Sequence, residues 1–127
     1  MPNLILVVDD EHDFRVIVSH VLETGGYRVV TAADGLEALR KFEESRPDLV
    51  VLDGNLPDID GYEVCRRLRA TPRGAKTPIL MCTVRSAIAT VAAGFEAGVT
   101  GYVLKPFEME ELLDRVAAAL EASQKKA

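Results

Sequence analysis

Four short apolar runs in this sequence are each followed by a residue that can bind a metal ion or a phosphoryl group. The runs and their following residues are 4–8 with Asp9 and Asp10, 49–52 with Asp53, 79–82 with Thr83, and 102–104 with Lys105. If these runs are neighbouring parallel strands, the side chains meet at one edge of a sheet, where open α/β sheets bind their ligands. The pattern predicts a site for a divalent cation and a phosphoryl group.

The cation is predicted by Asp9, Asp10 and Asp53. If the first and third strands are neighbours, the three carboxylates lie close together, and each like-charge pair at about 4 Å costs on the order of 1–4 kcal/mol. A divalent cation relieves this repulsion. Hard oxygen ligands favour Mg²⁺, with Mn²⁺ also possible, over zinc.

The remaining residues predict chemistry at Asp53. Lys105 can place a point charge on a phosphate oxygen, and the Thr83 hydroxyl can donate a hydrogen bond to one. With a metal, an ammonium and a hydroxyl around it, the Asp53 carboxylate is a credible nucleophile that forms an aspartyl phosphate. The metal and Lys105 would stabilise charge on the equatorial oxygens during transfer.

Strand-like and helix-like segments alternate along the chain. Strands are predicted at 4–8, 27–31, 49–52, 79–82 and 102–104; helical patterns occupy 13–24, the stretch after a capping box of Asp34 and Glu37, 62–70, 86–97, and the chain from about Phe107. In the first helix, the apolar residues at helical spacing are Phe14, Ile17, Val18, Val21 and Leu22. Strict alternation predicts an α/β fold: a flavodoxin-like (βα)5 parallel sheet of order 2-1-3-4-5, with helices on both faces.

Composition narrows the function classes. The 127 residues suit one domain over 1–127, with a tail at 123–127 that we expect to fray. A net charge of −5 without a basic stripe argues against nucleic-acid binding. Cys65 and Cys82 have no zinc-site spacing, and no signal peptide or membrane-spanning segment is predicted. We therefore expect a cytoplasmic protein without a membrane partner.

Four motifs resemble those of the receiver domain of bacterial two-component response regulators, most closely the single-domain, chemotaxis-regulator-like form. They read VVDDE at 7–11, VLDGNLPDIDG at 51–61, MCT at 81–83 and YVLKPF at 102–107. The resemblance covers essentially the whole chain. Its implied roles are phosphorylation of Asp53; metal binding by Asp9, Asp10, Asp53 and the backbone carbonyl of Asn55; phosphoryl binding by Thr83 and Lys105; an aromatic switch at Tyr102; and a cis bond before Pro106.

The resemblance also implies a function. A histidine kinase or a histidine phosphotransfer protein would donate the phosphoryl group, and the surface of the helix within 86–97, strand five and the last helix would change to control a downstream protein. The domain would promote only its own phosphorylation and dephosphorylation and is not expected to be a stand-alone enzyme. It would be a monomer or a weak homodimer through the same surface.

Two residues depart from the family pattern at the edge of the site. Val84 stands where the family usually has alanine or glycine, and its branched side chain is expected to narrow access to Asp53. Arg85 lies two positions beyond Thr83, and with Asn55 we expect it to tune the phosphate lifetime. Arg85 could steer anionic donors inward or could be a solvated surface charge.

Other functions fit the residues less well. A haloacid-dehalogenase-type phosphatase needs a second aspartate at the position of Asn55, and a flavodoxin-like FMN carrier would not place Asp9 and Asp10 beside a phosphate. A P-loop enzyme needs a GxxxxGK[ST] motif, which the sequence lacks. A receiver module excised from a larger regulator or hybrid kinase, and a non-phosphorylated pseudo-receiver that acts as an interaction module, stay open.

Overall fold

The computed structural model describes residues 2–84 and 97–125. Its strands are β1 (Leu4–Val8), β2 (Arg28–Ala32), β3 (Leu49–Asp53), β4 (Ile79–Val84) and β5 (Gly101–Lys105); its helices are α1 (His12–Thr24), α2 (Gly35–Ser45), α3 (Gly61–Arg69) and the C-terminal helix (Met109–Lys125). All strand pairs are parallel, in the order β2-β1-β3-β4-β5. The predicted fold class is confirmed. The helix predicted over 86–97 falls almost entirely outside the described residues.

Helices cover both faces of the sheet, which is why the central strands are continuous apolar runs. Every residue of β1 and β3 is buried. Alternate strand side chains point to opposite faces. One core lies against α2 and α3 and includes Leu6, Val8, Leu52, Phe42 and Leu68. The other lies against α1 and the C-terminal helix and includes Ile5, Val7, Val18, Leu22 and Leu112.

The apolar stripe of α1 is narrower than its sequence suggests. Val18 and Leu22 are buried, but Ile17 is 49% exposed. Residues four apart lie on one face of a helix, whereas the neighbour of a buried residue is rotated by about 100°. Val18 and Leu22 therefore define the stripe, and Ile17 lies beside it in solvent.

The loop after β3 is fastened to its surroundings at two places. The Gly61 amide donates to the Gly54 carbonyl at 3.1 Å, and a Cβ on Gly61 would collide with the Asp53 carbonyl. The Asp58 carboxylate accepts from the amides of Gly35 and Leu36, each at 2.8 Å. These contacts hold the segment that follows Asp53 close to the sheet edge.

The C-terminal helix runs through Lys125, so it reaches into the 123–127 stretch that we expected to fray. Leu120 is buried in the core, and Gln124 Nε2 donates to Asn3 Oδ1 at 3.2 Å. These contacts account for helix in that stretch, of which residues 126 and 127 lie outside the described part. No helix in the described part of the chain is both long and apolar enough to span a membrane.

Candidate functional site

Parallel strands deliver the predicted acidic residues to one edge of the sheet. Asp9 follows β1 directly, Asp10 comes next, and Asp53 is the last residue of β3. Each of the three offers a carboxylate oxygen, and these oxygens all lie within 4.8 Å of one another. Asp9 is 2% exposed and Asp53 is 7% exposed, while Asp10 faces solvent. The structure therefore brings together the three acids that the strand ends predicted.

Lys105, the last residue of β5, reaches this cluster from two strands away along the same edge of the sheet. Its Nζ donates to Asp9 Oδ2 at 3.0 Å and lies 3.9 Å from Asp53 Oδ1. The Asp9 Oδ1 atom accepts from the Glu11 amide at 2.9 Å, so both oxygens of Asp9 have donors. Asp9 is the better-neutralised carboxylate, and Asp53 receives the weaker share of the Lys105 charge.

Burial controls the electrostatics of Asp53. It raises the pKa of Asp53 to about 6, because the Asn55 amide donating to Oδ1 at 3.1 Å and the charge of Lys105 only partly offset the burial, and Asp9 and Asp10 add to the increase. Burial alone would lower the pKa of Lys105, but the Asp9 hydrogen bond and the charge of Asp53 outweigh it and raise that pKa. The cluster holds more negative charge than Lys105 balances.

This donor set fits a small divalent cation. Three carboxylates with close oxygens, one of them exposed, are hard ligands of the kind that Mg²⁺ prefers. The Asn55 amide faces Asp53, and the side chain of Asn55 is exposed. The uncompensated charge at Asp53 is what a bound cation would neutralise.

Thr83 and Pro106 complete the edge. Thr83 is 8% exposed, and its Oγ1 would lie 3.6 Å from a Cβ built on Gly54, so it faces the segment after Asp53. The Lys105–Pro106 peptide bond is cis. The side chain of Val84 and the whole of Arg85 lie outside the described residues.

Tyr102 lies behind this edge, in β5. The half-buried ring packs against the core beside α3, and its hydroxyl lies 3.3 Å from the Tyr62 hydroxyl. Burial and the hydrogen bond with Tyr62 raise the pKa of Tyr102. The predicted switch residue therefore contacts α3 through a tyrosine that we did not single out from the sequence.

Phe14 is a second site residue that the sequence did not reveal. Its ring centroid lies 4.2 Å from Lys105 Nζ, and it meets the Phe107 ring at 6.0 Å with an angle of 84° between the planes. Helical spacing marked Phe14 only as part of the apolar stripe of α1. The PF pair of the YVLKPF motif places Phe107 near Lys105 in the sequence, but nothing in the sequence pointed to Phe14.

Comparisons with known proteins agree with this arrangement. The family model of the response regulator receiver domain matches residues 5–117. Response regulator MprA of Mycobacterium sp. (strain KMS) is 48% identical over 120 residues, which cover 94% of this chain and 51% of that protein. The chain spans about half the length of the curated relatives it matches.

Solved structures of other proteins are similar to this chain over nearly its whole length. Chemotaxis response regulator CheY4 of Vibrio cholerae has a TM-score of 0.89 and 38% identity, covering 94% of this chain and 99% of that one. The receiver domain of sensor histidine kinase PA1611 from Pseudomonas aeruginosa PAO1 has a TM-score of 0.87 and 31% identity, covering 95% and 99%. That structure has a magnesium ion coordinated in its active site cleft.

Proposed function

The chain belongs to the response regulator receiver domain family, and we propose that it accepts a phosphoryl group on Asp53 in a Mg²⁺-dependent reaction. The observation that carries this proposal is the cluster of Asp9, Asp10 and Asp53 with the Lys105 ammonium beside Asp9 and Asp53. Three acids and one ammonium leave a net negative site, which suits a divalent cation and then a phosphoryl group. We place this receiver domain over residues 1–127.

The metal would be held by the carboxylates of Asp9, Asp10 and Asp53 and by the backbone carbonyl of Asn55. Mg²⁺ is the proposed ion, and Mn²⁺ is an alternative with the same hard-ligand preference. When bound, the ion supplies positive charge that lets three carboxylates coexist and that neutralises phosphoryl oxygens. Asp10 is exposed at the mouth of the cluster, where an ion and a donor can enter.

Asp53 is the proposed nucleophile. One carboxylate oxygen attacks the phosphorus of a phosphohistidine, a bond forms from that oxygen to phosphorus, and the nitrogen–phosphorus bond breaks as the imidazole leaves. Lys105 Nζ, already 3.9 Å from Asp53 Oδ1, neutralises the added charge, and the Thr83 hydroxyl donates to a phosphoryl oxygen. Attack by water on the same phosphorus later breaks its bond to the Asp53 oxygen, releases inorganic phosphate and restores the carboxylate. The proposed activity is limited to this self-directed chemistry.

The proposed output is a change of surface. Movement of Thr83 toward the phosphoryl group would let the Tyr102 ring turn inward and re-shape β5, the C-terminal helix and the segment between β4 and β5. We propose that a histidine kinase or phosphotransfer protein acts at the site and that a downstream protein, or weakly a second copy, binds the re-shaped surface. Because the chain spans about half the length of its relatives, a module of a larger regulator is an alternative setting.

Intact mass spectrometry tests the proposal. Incubation with acetyl phosphate and Mg²⁺ should add one phosphoryl group, EDTA should prevent the addition, and Asp53→Asn should abolish it. Asp58→Asn is the matched control, because Asp58 lies on the same loop but points to α2. No addition to the wild type from acetyl phosphate or from a cognate kinase would overturn the proposal and favour the pseudo-receiver alternative.

A further inference from the structure

The ammonium of Lys105 rests on an aromatic ring. Its Nζ lies 4.2 Å from the centroid of Phe14, within the range of a cation–π contact. The Lys105 side chain is 23% exposed, so the contact lies in a partly dehydrated place where the attraction of a ring face for a cation is strengthened.

The contact has a directional consequence for Lys105. An ammonium has three N–H donors on a flexible four-carbon stem. Asp9 Oδ2 accepts one of them at 3.0 Å, and the Phe14 ring covers another side. Asp53 Oδ1 lies 3.9 Å from the same nitrogen, beyond hydrogen-bond distance. The ring therefore limits where the ammonium can move, while Asp53 stays within reach of a small shift of the lysine side chain.

Phe14 is itself fixed from two sides. It stands on α1, one helical turn before the buried Val18, and it meets the Phe107 ring edge to face. Phe107 follows Lys105 and Pro106, so the ring that holds Lys105 is braced by the segment that Lys105 begins. A leucine at position 14 would fill much of the same space but would offer no electron-rich face to the cation.

We propose that Phe14 is a positioning residue for phosphoryl transfer, which holds the Lys105 ammonium between Asp9 and Asp53 so that it meets the incoming phosphoryl group. The inference rests on the proposed function for its kinetic consequence, although the contact itself can be tested without phosphorylation. A pre-positioned charge stabilises the transferring group without having to move during the reaction.

The kinetic test compares Phe14→Leu, Phe14→Tyr and the wild type with acetyl phosphate at saturating Mg²⁺. Loss of a partly dehydrated cation–π contact should slow phosphorylation about three- to tenfold in Phe14→Leu, while Phe14→Tyr, which keeps the ring face, should stay within about twofold of the wild type. In a Lys105→Ala background, Phe14→Leu should have no further effect, because its influence passes through Lys105.

A matched control separates this effect from lost stability. Phe42→Leu makes the same chemical change in the opposite core, on α2, and should lower Tm without slowing phosphorylation. Equal rates in wild type and Phe14→Leu, equal slowing by Phe14→Leu and Phe14→Tyr, or the same slowing in Phe42→Leu would each overturn the proposal.

An NMR measurement distinguishes failure of this inference from failure of the proposed function. A proton above an aromatic face is shifted upfield, so the Lys105 ε-methylene protons should be upfield in the wild type and in Phe14→Tyr. They should return toward ordinary lysine values in Phe14→Leu, with no phosphodonor present. Unshifted protons in the wild type would overturn the positioning role even if Asp53 is phosphorylated. Upfield protons in a wild type that takes no phosphoryl group would retain the contact and contradict only the proposed function.

Discussion

Asp53 carries a negative charge that its surroundings only partly stabilise. It is buried, lies beside two other acids, and is 3.9 Å from an ammonium that hydrogen-bonds to Asp9 instead. The same burial that raises its pKa shields the carboxylate from water, so the proposed reactivity of Asp53 and its cost in stability have one cause. The fold is therefore more stable when this carboxylate is protonated than when it is charged.

Asp53→Asn should therefore stabilise the metal-free protein. With a folded-state pKa of about 6 against 3.8, Asp53 contributes most to stability below pH 4, and that contribution is lost as the pH rises through 6. Thermal unfolding in EDTA at pH 8 should show a gain on the order of 1–3 kcal/mol for the variant, shrinking toward zero near pH 4. Equal Tm values at pH 8 would contradict this expectation.

Sequence reasoning located Asp9, Asp53 and Lys105 because strand ends imply a sheet edge once the topology is known. The roles of Phe14 and Tyr62 at the site could not be predicted from the sequence, for a physical reason. Each lies on a helix and meets its partner on β5 through the way that helix packs on the sheet. A helical stripe tells which face is buried, but it does not tell which distant residue that face meets.

The start of α2 is stabilised both by its own residues and by a residue from another part of the chain. Asp34 accepts from the Glu37 amide at 2.8 Å, and Glu37 Oε1 accepts from the Ala33 amide at 2.6 Å, so the predicted capping box forms but reaches back one residue further than usual. Asp58, from the loop after β3, then accepts from two more amides of the first turn. The local cap was readable from the sequence; the distant one was not, because the two segments are far apart along the chain.

Asp58→Asn should weaken α2. Both carboxylate oxygens accept amide hydrogens, and an asparagine offers one oxygen, so we expect a loss of about 1 kcal/mol in urea unfolding at pH 7. Burial alone would raise the pKa of Asp58, but the amides of Leu36 and Gly35 outweigh it and lower that pKa. The stabilisation is thus present above the ordinary pKa and is lost as the pH falls through the lowered folded-state value, so the difference should vanish under strongly acidic conditions.

Asp60→Asn is the control for that measurement. Asp60 caps α3 with a single oxygen, which accepts from the Glu63 amide at 2.8 Å. Asparagine is as good as aspartate at such a position, so this variant should be nearly neutral. A loss at Asp60 equal to the loss at Asp58 would refute the two-oxygen explanation.

Across the whole molecule, Arg69 joins three segments at the edge of the sheet opposite the acids. Its guanidinium donates to the carbonyls of Gly74, Thr77 and Gly98 and to the Thr100 hydroxyl. These partners lead into β4 and β5. One side chain at the end of α3 thereby holds the starts of two strands whose far ends carry Thr83 and Lys105.

Arg69→Ala should destabilise the whole domain by on the order of 2–3 kcal/mol, because several carbonyls lose a charged donor at once. Arg66→Ala is the matched control: Arg66 is 53% exposed, pairs with Glu63, and should cost no more than about 0.5 kcal/mol. Urea unfolding measures both. Comparable losses would show that Arg69 is only a surface charge.

The strand order and the layers followed from the alternation of patterns, since right-handed crossovers leave few ways to join five parallel strands. The bounds of the elements were harder to predict than their order. For example, β4 continues two residues past the predicted 79–82. Its last pairings, Thr83 with Leu104 and Val84 with Lys105, depend on β5, which lies later in the chain.

The contact between Lys105 and Asp9 joins residues separated by 96 positions. While the domain is being synthesised, all three acids of the site are therefore present before Lys105, the ammonium that offsets them, has been added. Domains generally fold as units, and this site receives its balancing charge only from β5. We expect copies whose synthesis stops before Lys105 to carry Asp53 without its neighbouring ammonium, and so to lack a charge that the proposed phosphoryl transfer requires.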